Sequence, residues 1–218
     1  MKKAVSTKQT EKDILFATAE RVFSKGLVKE IRSRGRDFLE AAREGSYVFD
    51  ADGNRCLDCY TSAGVFNLGR RNPVIAARLK KALLETDQGN FVLPSEEKAL
   101  LARRIADFVP GNLSCVLFGV TRGESMEAAC KLARGYTERA ELVTVDGGCY
   151  GESGFALSLS ARKNKEQFGK LIPGVKTVPF GDAQAAESAV SGRTAAFIME
   201  PIQAENGCRE AEKAYYAK

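Results

Sequence analysis

The spacing of apolar residues along the 218-residue chain changes near residue 95. The front of the chain is irregular, whereas behind it short apolar runs of strand length alternate with stretches in which apolar residues recur every three or four positions. Strands that alternate with helices in this way are typical of a mainly parallel sheet with helices on both faces. The pattern therefore predicts an α/β fold with a three-layer, mainly parallel sheet, preceded by a small N-terminal α+β segment.

The regular part of the chain is predicted to contain four strands and three helices. The strands are expected at residues 115–118, 142–145, 175–179 and 195–199. The helices are expected to begin near Glu124, Asp182 and Glu210.

The front of the chain is predicted to form a hairpin and helices. The helices are expected at residues 10–23, 74–85 and 95–108, the last of them reaching into the regular part. The hairpin pairs residues 47–50 with 55–58 across an Asp52-Gly53 turn. Asn72 with Pro73 favours the start of the second helix, and Ser95 favours the start of the third.

The strongest functional signal is the passage from an apolar run to a helix within residues 115–134. Flexible backbone from Gly119 to Gly123 separates the two. Such a junction places free backbone N–H groups and the positive end of a helix dipole together, which is the general form of an anion site. Plain structural turns share this form, so both interpretations stand at this point.

Two further loops are predicted to lie beside this junction. Gly147 to Gly151 follows one predicted strand, and Glu200 with Pro201 follows another. Ligands of parallel sheets bind at the carboxyl ends of strands. The three loops are therefore expected to converge on one edge of the sheet.

Composition favours an ordinary water-soluble globular protein. The chain is 44% hydrophobic and 28% charged, with a net charge of +5 that is dispersed rather than clustered. No apolar run approaches the ~20 residues of a membrane helix, and no basic stripe predicts nucleic-acid binding. The first 13 residues lack the apolar core of a signal peptide, which favours a cytoplasmic location.

Cysteine and histidine usage excludes several kinds of chemistry. Cys56 and Cys59 have the spacing of zinc ligands, but the chain has no second such pair and no histidine, so no metal site is expected. The absence of histidine also excludes a Ser-His-Asp or Cys-His centre. Neither dinucleotide nor P-loop glycine motif is present, which disfavours a nucleotide-binding domain.

Five blocks of the sequence, taken in order, resemble the class III, pyridoxal-phosphate-dependent aminotransferases. Gly123 to Ala129 with Lys131 to Arg134 resembles the phosphate-cup helix of that family, and Glu200-Pro-Ile-Gln-Ala-Glu205-Asn-Gly207 resembles its "EPxQxExG" signature. The other three blocks are Tyr47 to Asp58, Gly69 to Pro73 and Gly148 to Gly151.

The resemblance implies a fold-type I enzyme that uses pyridoxal 5'-phosphate to move an amino group between an amine or amino acid and a keto acid or aldehyde. A 2,1-aminomutase of the glutamate-1-semialdehyde type is the alternative within the family. Residues 1–60 would contribute to the small domain and residues 61–218 to the large, cofactor-binding domain. A homodimer is implied, with active sites at the subunit interface.

The resemblance also assigns residues to the cofactor and substrate. Thr121, Arg122 and Gly123 would hold the phosphate, and Glu200 would lie near the cofactor ring. Glu205 would pair with an arginine and gate the binding of the substrate carboxylate. Relatives carry an aromatic residue and a histidine where this chain has Cys149 and Tyr150, so ring stacking would pass to Tyr150 by a shift of one residue. Arg122 stands where relatives usually carry glycine.

Family members exceed four hundred residues, and the lysine that forms the Schiff base and the aspartate that pairs with the pyridine nitrogen would lie beyond Lys218. No catalytic residue is therefore expected among these 218 residues, since Lys131 and Lys176 are typical of solvated charges. A parallel sheet that ends here would leave an unpaired edge, which predicts a complementing C-terminal half, a tight homodimer or a rearranged packing. A non-catalytic binding or assembly subunit is the alternative from another class.

Overall fold

The computed structural model describes residues 7–35, 38–86 and 93–218 of the chain. They form two compact units that divide between Pro94 and Ser95. The division falls where the apolar spacing of the sequence changes. The assignment of residues 1–60 and 61–218 to the small and large domains of a complete enzyme stays a prediction.

Two helices open the first unit: α1 at Thr7–Val22 and α2 at Lys25–Ser33. The Ser24 hydroxyl begins α2 by accepting a hydrogen bond from the Leu27 N–H group. Phe16 and Val28 are the buried side chains of this pair. The first helix confirms the sequence prediction, whereas α2 was not predicted.

An antiparallel sheet and a third helix complete the first unit. The strands are β1 (Glu40–Glu44), β2 (Tyr47–Asp50) and β3 (Arg55–Leu57), with β2 in the centre. The predicted hairpin is confirmed, and the Asp50 carboxylate fixes its turn by accepting from the N–H groups of Asp52 and Asn54. Helix α3 spans Pro73–Glu85, as predicted, with Asn72 as its N-cap.

The second unit contains five helices and five strands. In chain order they are α4 (Glu96–Phe108), α5 (Arg122–Thr137), β4 (Glu141–Val145), α6 (Gly154–Leu159), β5 (Val175–Val178), α7 (Ala183–Ala189), β6 (Thr194–Ile198), β7 (Ile202–Gln203), β8 (Arg209–Glu210) and α8 (Lys213–Tyr216).

The main sheet of the second unit is parallel, in the order β5–β4–β6. Every residue of the central strand β4 is buried, and its side chains alternate between two cores. Leu142 belongs to the core formed with α5 and α6, whereas Val143 and Val145 belong to the core formed with Phe180 and Tyr215. Cores on both faces confirm the predicted three-layer α/β fold.

The strand predicted at residues 115–118 is wrong. The structure has no strand between residues 113 and 119, and the side chains of Leu117 and Phe118 are 61% and 43% exposed. A strand exists only through hydrogen bonds to a neighbour. None of the described strands pairs with this segment, so it lacks the hydrogen bonds that would make it a strand.

The end of the chain differs from the prediction in a smaller way. Instead of a helix from residue 210, the two-residue strands β7 and β8 form an antiparallel ribbon, and the helix begins at Lys213. Among the described residues, no helix is long and apolar enough to cross a membrane.

Candidate functional site

The first turn of α5 is capped by side chains on both sides of its start. The Thr121 hydroxyl accepts a hydrogen bond from the Glu124 N–H group at 3.1 Å. The Glu124 carboxylate reaches back and accepts from the Val120 N–H group at 2.6 Å. This is a variant of the capping box, in which Thr121 satisfies an N–H group that the helix itself cannot and Glu124 satisfies the N–H of the residue before the N-cap.

Two N–H groups at this helix start stay available. Among the hydrogen bonds of the described residues, none uses the backbone N–H of Arg122 or Gly123. These are the first two positions of the helix, where no intrahelical acceptor exists and the helix dipole is positive. The pair is therefore suited to an anion such as a phosphate group.

A glycine-to-glycine contact joins this turn to residues 147–151, here called the glycine loop, which follows β4. Gly151 has a φ of +132°, and a Cβ atom there would lie 2.9 Å from the Gly123 Cα. A Cβ atom on Gly123 would lie 2.8 Å from the Ser153 hydroxyl oxygen. Only residues without side chains allow two backbones to approach this closely.

Tyr150 anchors the glycine loop in the core. Its ring is 3% exposed, and its hydroxyl donates to the Ile198 carbonyl while accepting from the Thr144 hydroxyl, both at 3.2 Å. Its N–H donates to the Ser160 hydroxyl at 2.9 Å. Burial raises the pKa of Tyr150 above its ordinary value, although the hydrogen bond with Thr144 opposes part of that effect, so the phenol stays neutral. Stacking on a cofactor would require the ring to leave this core.

Cys149 connects the glycine loop to both other predicted loops. Its N–H donates to the Glu200 carboxylate at 2.8 Å, and its sulfur accepts from the Arg122 guanidinium at 3.6 Å. The loops that begin α5, follow β4 and follow β6 are thus in direct contact. The predicted convergence of three loops at the carboxyl edge of the sheet is confirmed.

Glu205 lies on a single helical turn, Ala204–Asn206, between β7 and β8. Its side chain is exposed. The neighbouring Gln203 is fully buried and connects this turn to the end of β4 through the Asp146 carbonyl. The substrate-gating role of Glu205 stays a prediction.

Glu127, Ser160 and Gln203 are structural supports of the site whose roles were not predicted from the sequence, although Glu127 and Gln203 lie within the blocks that resemble the family. The Glu127 carboxylate accepts from the Ser153 hydroxyl at 3.0 Å and from the Ala156 N–H at 3.1 Å, so it caps α6 from α5. In the sequence, Glu127, Ser160 and Gln203 share one signal, which is a polar residue within a run of small or apolar residues. That signal is weak, because it does not identify the partner.

The lysines of this unit already have structural roles or lie in solvent. The Lys176 amine pairs with the Glu141 carboxylate at 2.8 Å. The Lys165 amine donates to the carbonyls of Ser158 and Ser160, and burial lowers its pKa. Lys131 is exposed, as predicted.

All six cysteines are free thiols, and Cys56 and Cys59 are both exposed. Within residues 7–35, 38–86 and 93–218, no group of three or more cysteine, aspartate, glutamate or histidine side chains is placed to hold a metal ion.

This chain belongs to the class III aminotransferases, whose family model matches residues 32–218. It is 46% identical over 173 residues to an uncharacterized aminotransferase of Archaeoglobus fulgidus, covering 79% of this chain and 41% of that protein. An acetylornithine aminotransferase of Methanopyrus kandleri is 34% identical over 167 residues, covering 76% of this chain and 43% of that protein.

Solved structures show the same fold. An ornithine aminotransferase of Toxoplasma gondii, whose active site holds pyridoxal phosphate at partial occupancy, superposes with a TM-score of 0.83. It is 21% identical, and the match covers 94% of this chain and 49% of that chain. The chain therefore spans somewhat less than half the length of the two curated relatives and about half of this structure.

Class III aminotransferases depend on pyridoxal 5'-phosphate, and the phosphate end of that cofactor fits the start of α5. Two N–H groups without a partner in the described part of the chain, a glycine contact that a Cβ atom would close and the Arg122 cation all lie at one place. A phosphate group accepts hydrogen bonds from such N–H groups and pairs with a guanidinium.

Proposed function

We propose that the start of α5 and the glycine loop form the phosphate-binding part of the pyridoxal-phosphate site of a class III aminotransferase. The complete enzyme would transfer an amino group between an amine or amino acid and a keto acid or aldehyde. Pyridoxal phosphate, when bound, supplies the carbonyl that takes up the amino group and the ring that withdraws electrons from the substrate carbon.

The free N–H pair of Arg122 and Gly123 is the observation that carries this proposal. Both groups lie at the positive end of a 16-residue helix, and the glycine loop packs against the same turn. A dianionic phosphate at this position would satisfy donors that have no acceptor among the described residues.

The surrounding side chains take distinct roles in the proposed site. Thr121 caps the Glu124 N–H group, which leaves the N–H groups of the first two helical residues available to the phosphate. Arg122 adds a cation that reaches the glycine loop through Cys149. Glu200 fixes that loop by accepting the Cys149 N–H. Glu205 would gate the substrate carboxylate.

Residues that complete the reaction would come from outside this chain's 218 residues. The amines of Lys176 and Lys165 are engaged by Glu141 and by carbonyls, which supports the view that neither forms the covalent link to the cofactor. The same observation favours a second candidate, a non-catalytic subunit that keeps the fold and the phosphate site.

A complementing partner is part of the proposal. In the first unit, apolar side chains are exposed on α3, where they include Leu79 and Leu83. In the second unit, they are exposed on α4 and within residues 117–120, where they include Leu100, Leu117 and Val120. Large apolar side chains left exposed in this way on each unit support a partner that covers them. The partner is a C-terminal half on another polypeptide or a second copy of this chain, and six free thiols suit a reducing, cytoplasmic location.

Equilibrium titration of the purified chain with pyridoxal phosphate and with pyridoxal tests the phosphate site. Pyridoxal phosphate should bind at least about tenfold more tightly, because charge-assisted hydrogen bonds to phosphate are worth about 1.5–3 kcal/mol. Inorganic phosphate should compete. Equal affinities for the two compounds would refute the proposed phosphate site.

Paired arginine variants provide the control. Arg122→Gln should weaken pyridoxal phosphate binding several-fold, with the effect reduced at high salt. Arg104→Gln, an exposed change on α4, should leave binding unaltered. Borohydride treatment of the chain incubated with pyridoxal phosphate should leave no covalent adduct. An adduct would mean that one of the chain's own lysines reacts with the cofactor.

A further inference from the structure

We propose that Gln203 is a positioning residue that joins residues 204–207, the turn that carries Glu205, to the glycine loop after β4. The proposal rests on the phosphate site proposed above and extends it to the part of the chain that carries the predicted substrate gate.

Both polar ends of the Gln203 side chain are used, although the residue is completely buried. Its amide nitrogen donates to the Asp146 carbonyl at 2.5 Å. Its amide oxygen accepts from the Asn206 amide at 2.9 Å. Asp146 directly precedes the glycine loop and Asn206 directly follows Glu205, so one side chain connects the two segments.

The shape of the backbone supports the same connection. Gly147 has a φ of +74°, and a Cβ atom there would lie 2.3 Å from the Asn206 amide nitrogen and 2.6 Å from the Gln203 amide oxygen. The first glycine of the loop is therefore packed directly against the amide pair. Any larger residue at position 147 would push the pair away.

A second hydrogen bond attaches the chain before β7 to the glycine loop. The Glu200 carboxylate accepts the Cys149 N–H at 2.8 Å. With Glu200 and Gln203 both attached to residues 146–149, the chain between them has little freedom. The pairing of β7 with β8 closes the turn that carries Glu205. The attachment of that turn to the glycine loop then depends on Gln203, because Glu200 lies before β7 and does not reach the residues beyond that strand.

Removal of the amide should loosen both segments without opening the sheet. Gln203→Met keeps the volume of the side chain but leaves the Asp146 carbonyl and the Asn206 amide without their partner. Groups deprived of a hydrogen-bond partner in a buried place favour local opening to water.

Hydrogen exchange of the purified 218-residue chain, followed by mass spectrometry, measures this loosening. In Gln203→Met, exchange in residues 146–151 and 203–208 should rise about tenfold or more, while β4 keeps its protection. The dissociation constant for pyridoxal phosphate should rise about fivefold, since the glycine loop borders the phosphate site. Gln184→Met, an exposed change on α7, is the matched control and should alter neither quantity.

Two further variants keep the test decisive if Gln203→Met fails to fold. Asn206→Ala removes only the outer hydrogen bond and should produce a smaller change in the same direction. Gly147→Ala should loosen the same two segments by pushing on the amide pair. Unchanged exchange in those segments, an even rise across the whole unit, or loosened segments with unchanged pyridoxal phosphate affinity would each overturn the proposal.

The outcome separates this proposal from the proposed function. If the unaltered chain does not discriminate pyridoxal phosphate from pyridoxal, the phosphate site fails whatever Gln203 does. If the unaltered chain discriminates and the Gln203 variants bind and exchange as it does, the positioning role alone fails.

Discussion

Strand β4 and residues 115–118 both lead into loops of the proposed phosphate site, but only β4 is held in place. β4 has a parallel neighbour on each side, and all five of its residues are buried. Residues 115–118 lie outside any strand, with Leu117 61% exposed. An apolar run therefore becomes a strand only where neighbours supply hydrogen bonds and a packing surface.

The two loops differ in the same way. The glycine loop after β4 is fixed by the buried Tyr150 and by Glu200. The loop that begins α5 is fixed by its own helix cap, through Thr121 and Glu124. One wall of the proposed site is thus built by tertiary packing and the other by local structure.

Equivalent leucine truncations in the two segments should give the largest contrast. Leu142→Ala in β4 should reduce the free energy of unfolding by about 2–5 kcal/mol, because it leaves a cavity in a closed core. Leu117→Ala should change it by less than about 0.5 kcal/mol, as for other exposed sites. Urea denaturation of both variants measures the difference, and equal losses would contradict the contrast.

Thiol alkylation compares the core that covers β4 with residues 115–118, because Cys130 on α5 packs in the same core as Leu142 and Cys115 lies in the exposed segment. Burial, with a smaller contribution from Glu127, raises the pKa of the Cys130 thiol to about 11, whereas Cys115 is exposed. At pH 8 a thiol of that pKa is about 0.1% thiolate, against about a quarter for an ordinary cysteine. Cys130 should therefore react with iodoacetamide at least about 100-fold more slowly than Cys115.

The rate at which Cys130 is alkylated should depend on pH in a definite direction. Since only the thiolate reacts, labelling of Cys130 in the folded protein should accelerate as pH rises toward its raised pKa. Mass spectrometry of the labelled peptides measures both rates. Similar rates for Cys130 and Cys115 at pH 8 would mean that the core around β4 opens readily.

Two glycine-to-alanine changes should alter the free energy of unfolding in opposite directions. Gly151→Ala forces a side chain into a backbone with φ of +132° and against Gly123, so a loss of about 1–3 kcal/mol is expected. Gly135→Ala, in the exposed part of α5 with nothing within 4 Å, should gain about 0.5–1 kcal/mol. Thermal melting distinguishes the two, and a neutral Gly151→Ala would argue against the close approach of the two walls.

The sequence predicted those parts of the fold whose cause is local. Asn72, Ser95 and Asp182 each cap a helix at or next to its predicted start, because capping depends on neighbouring residues. Strand β1, by contrast, has a sequence without strand character and exists through its pairing with β2. Its formation is decided by its neighbour.

The candidate site also contains parts that local sequence predicts and parts that depend on distant residues. Its loops and its glycines were predictable, because they follow strands or precede a helix. Gln203 was recognised as part of the "EPxQxExG" signature, but its role was not predicted, because that role lies in a hydrogen bond to a residue 57 positions earlier in the chain. Distant partners of this kind leave no mark in local sequence patterns.

Backbone amide chemical shifts of the ¹⁵N-labelled chain, recorded during titration with pyridoxal phosphate, test the central claim most directly. The account predicts that the amide signals of Arg122 and Gly123 move most, that inorganic phosphate moves the same two signals, and that Gly135 at the other end of α5 stays unchanged. Shifts confined to other residues, or none at saturating ligand, would contradict a phosphate site at the start of α5.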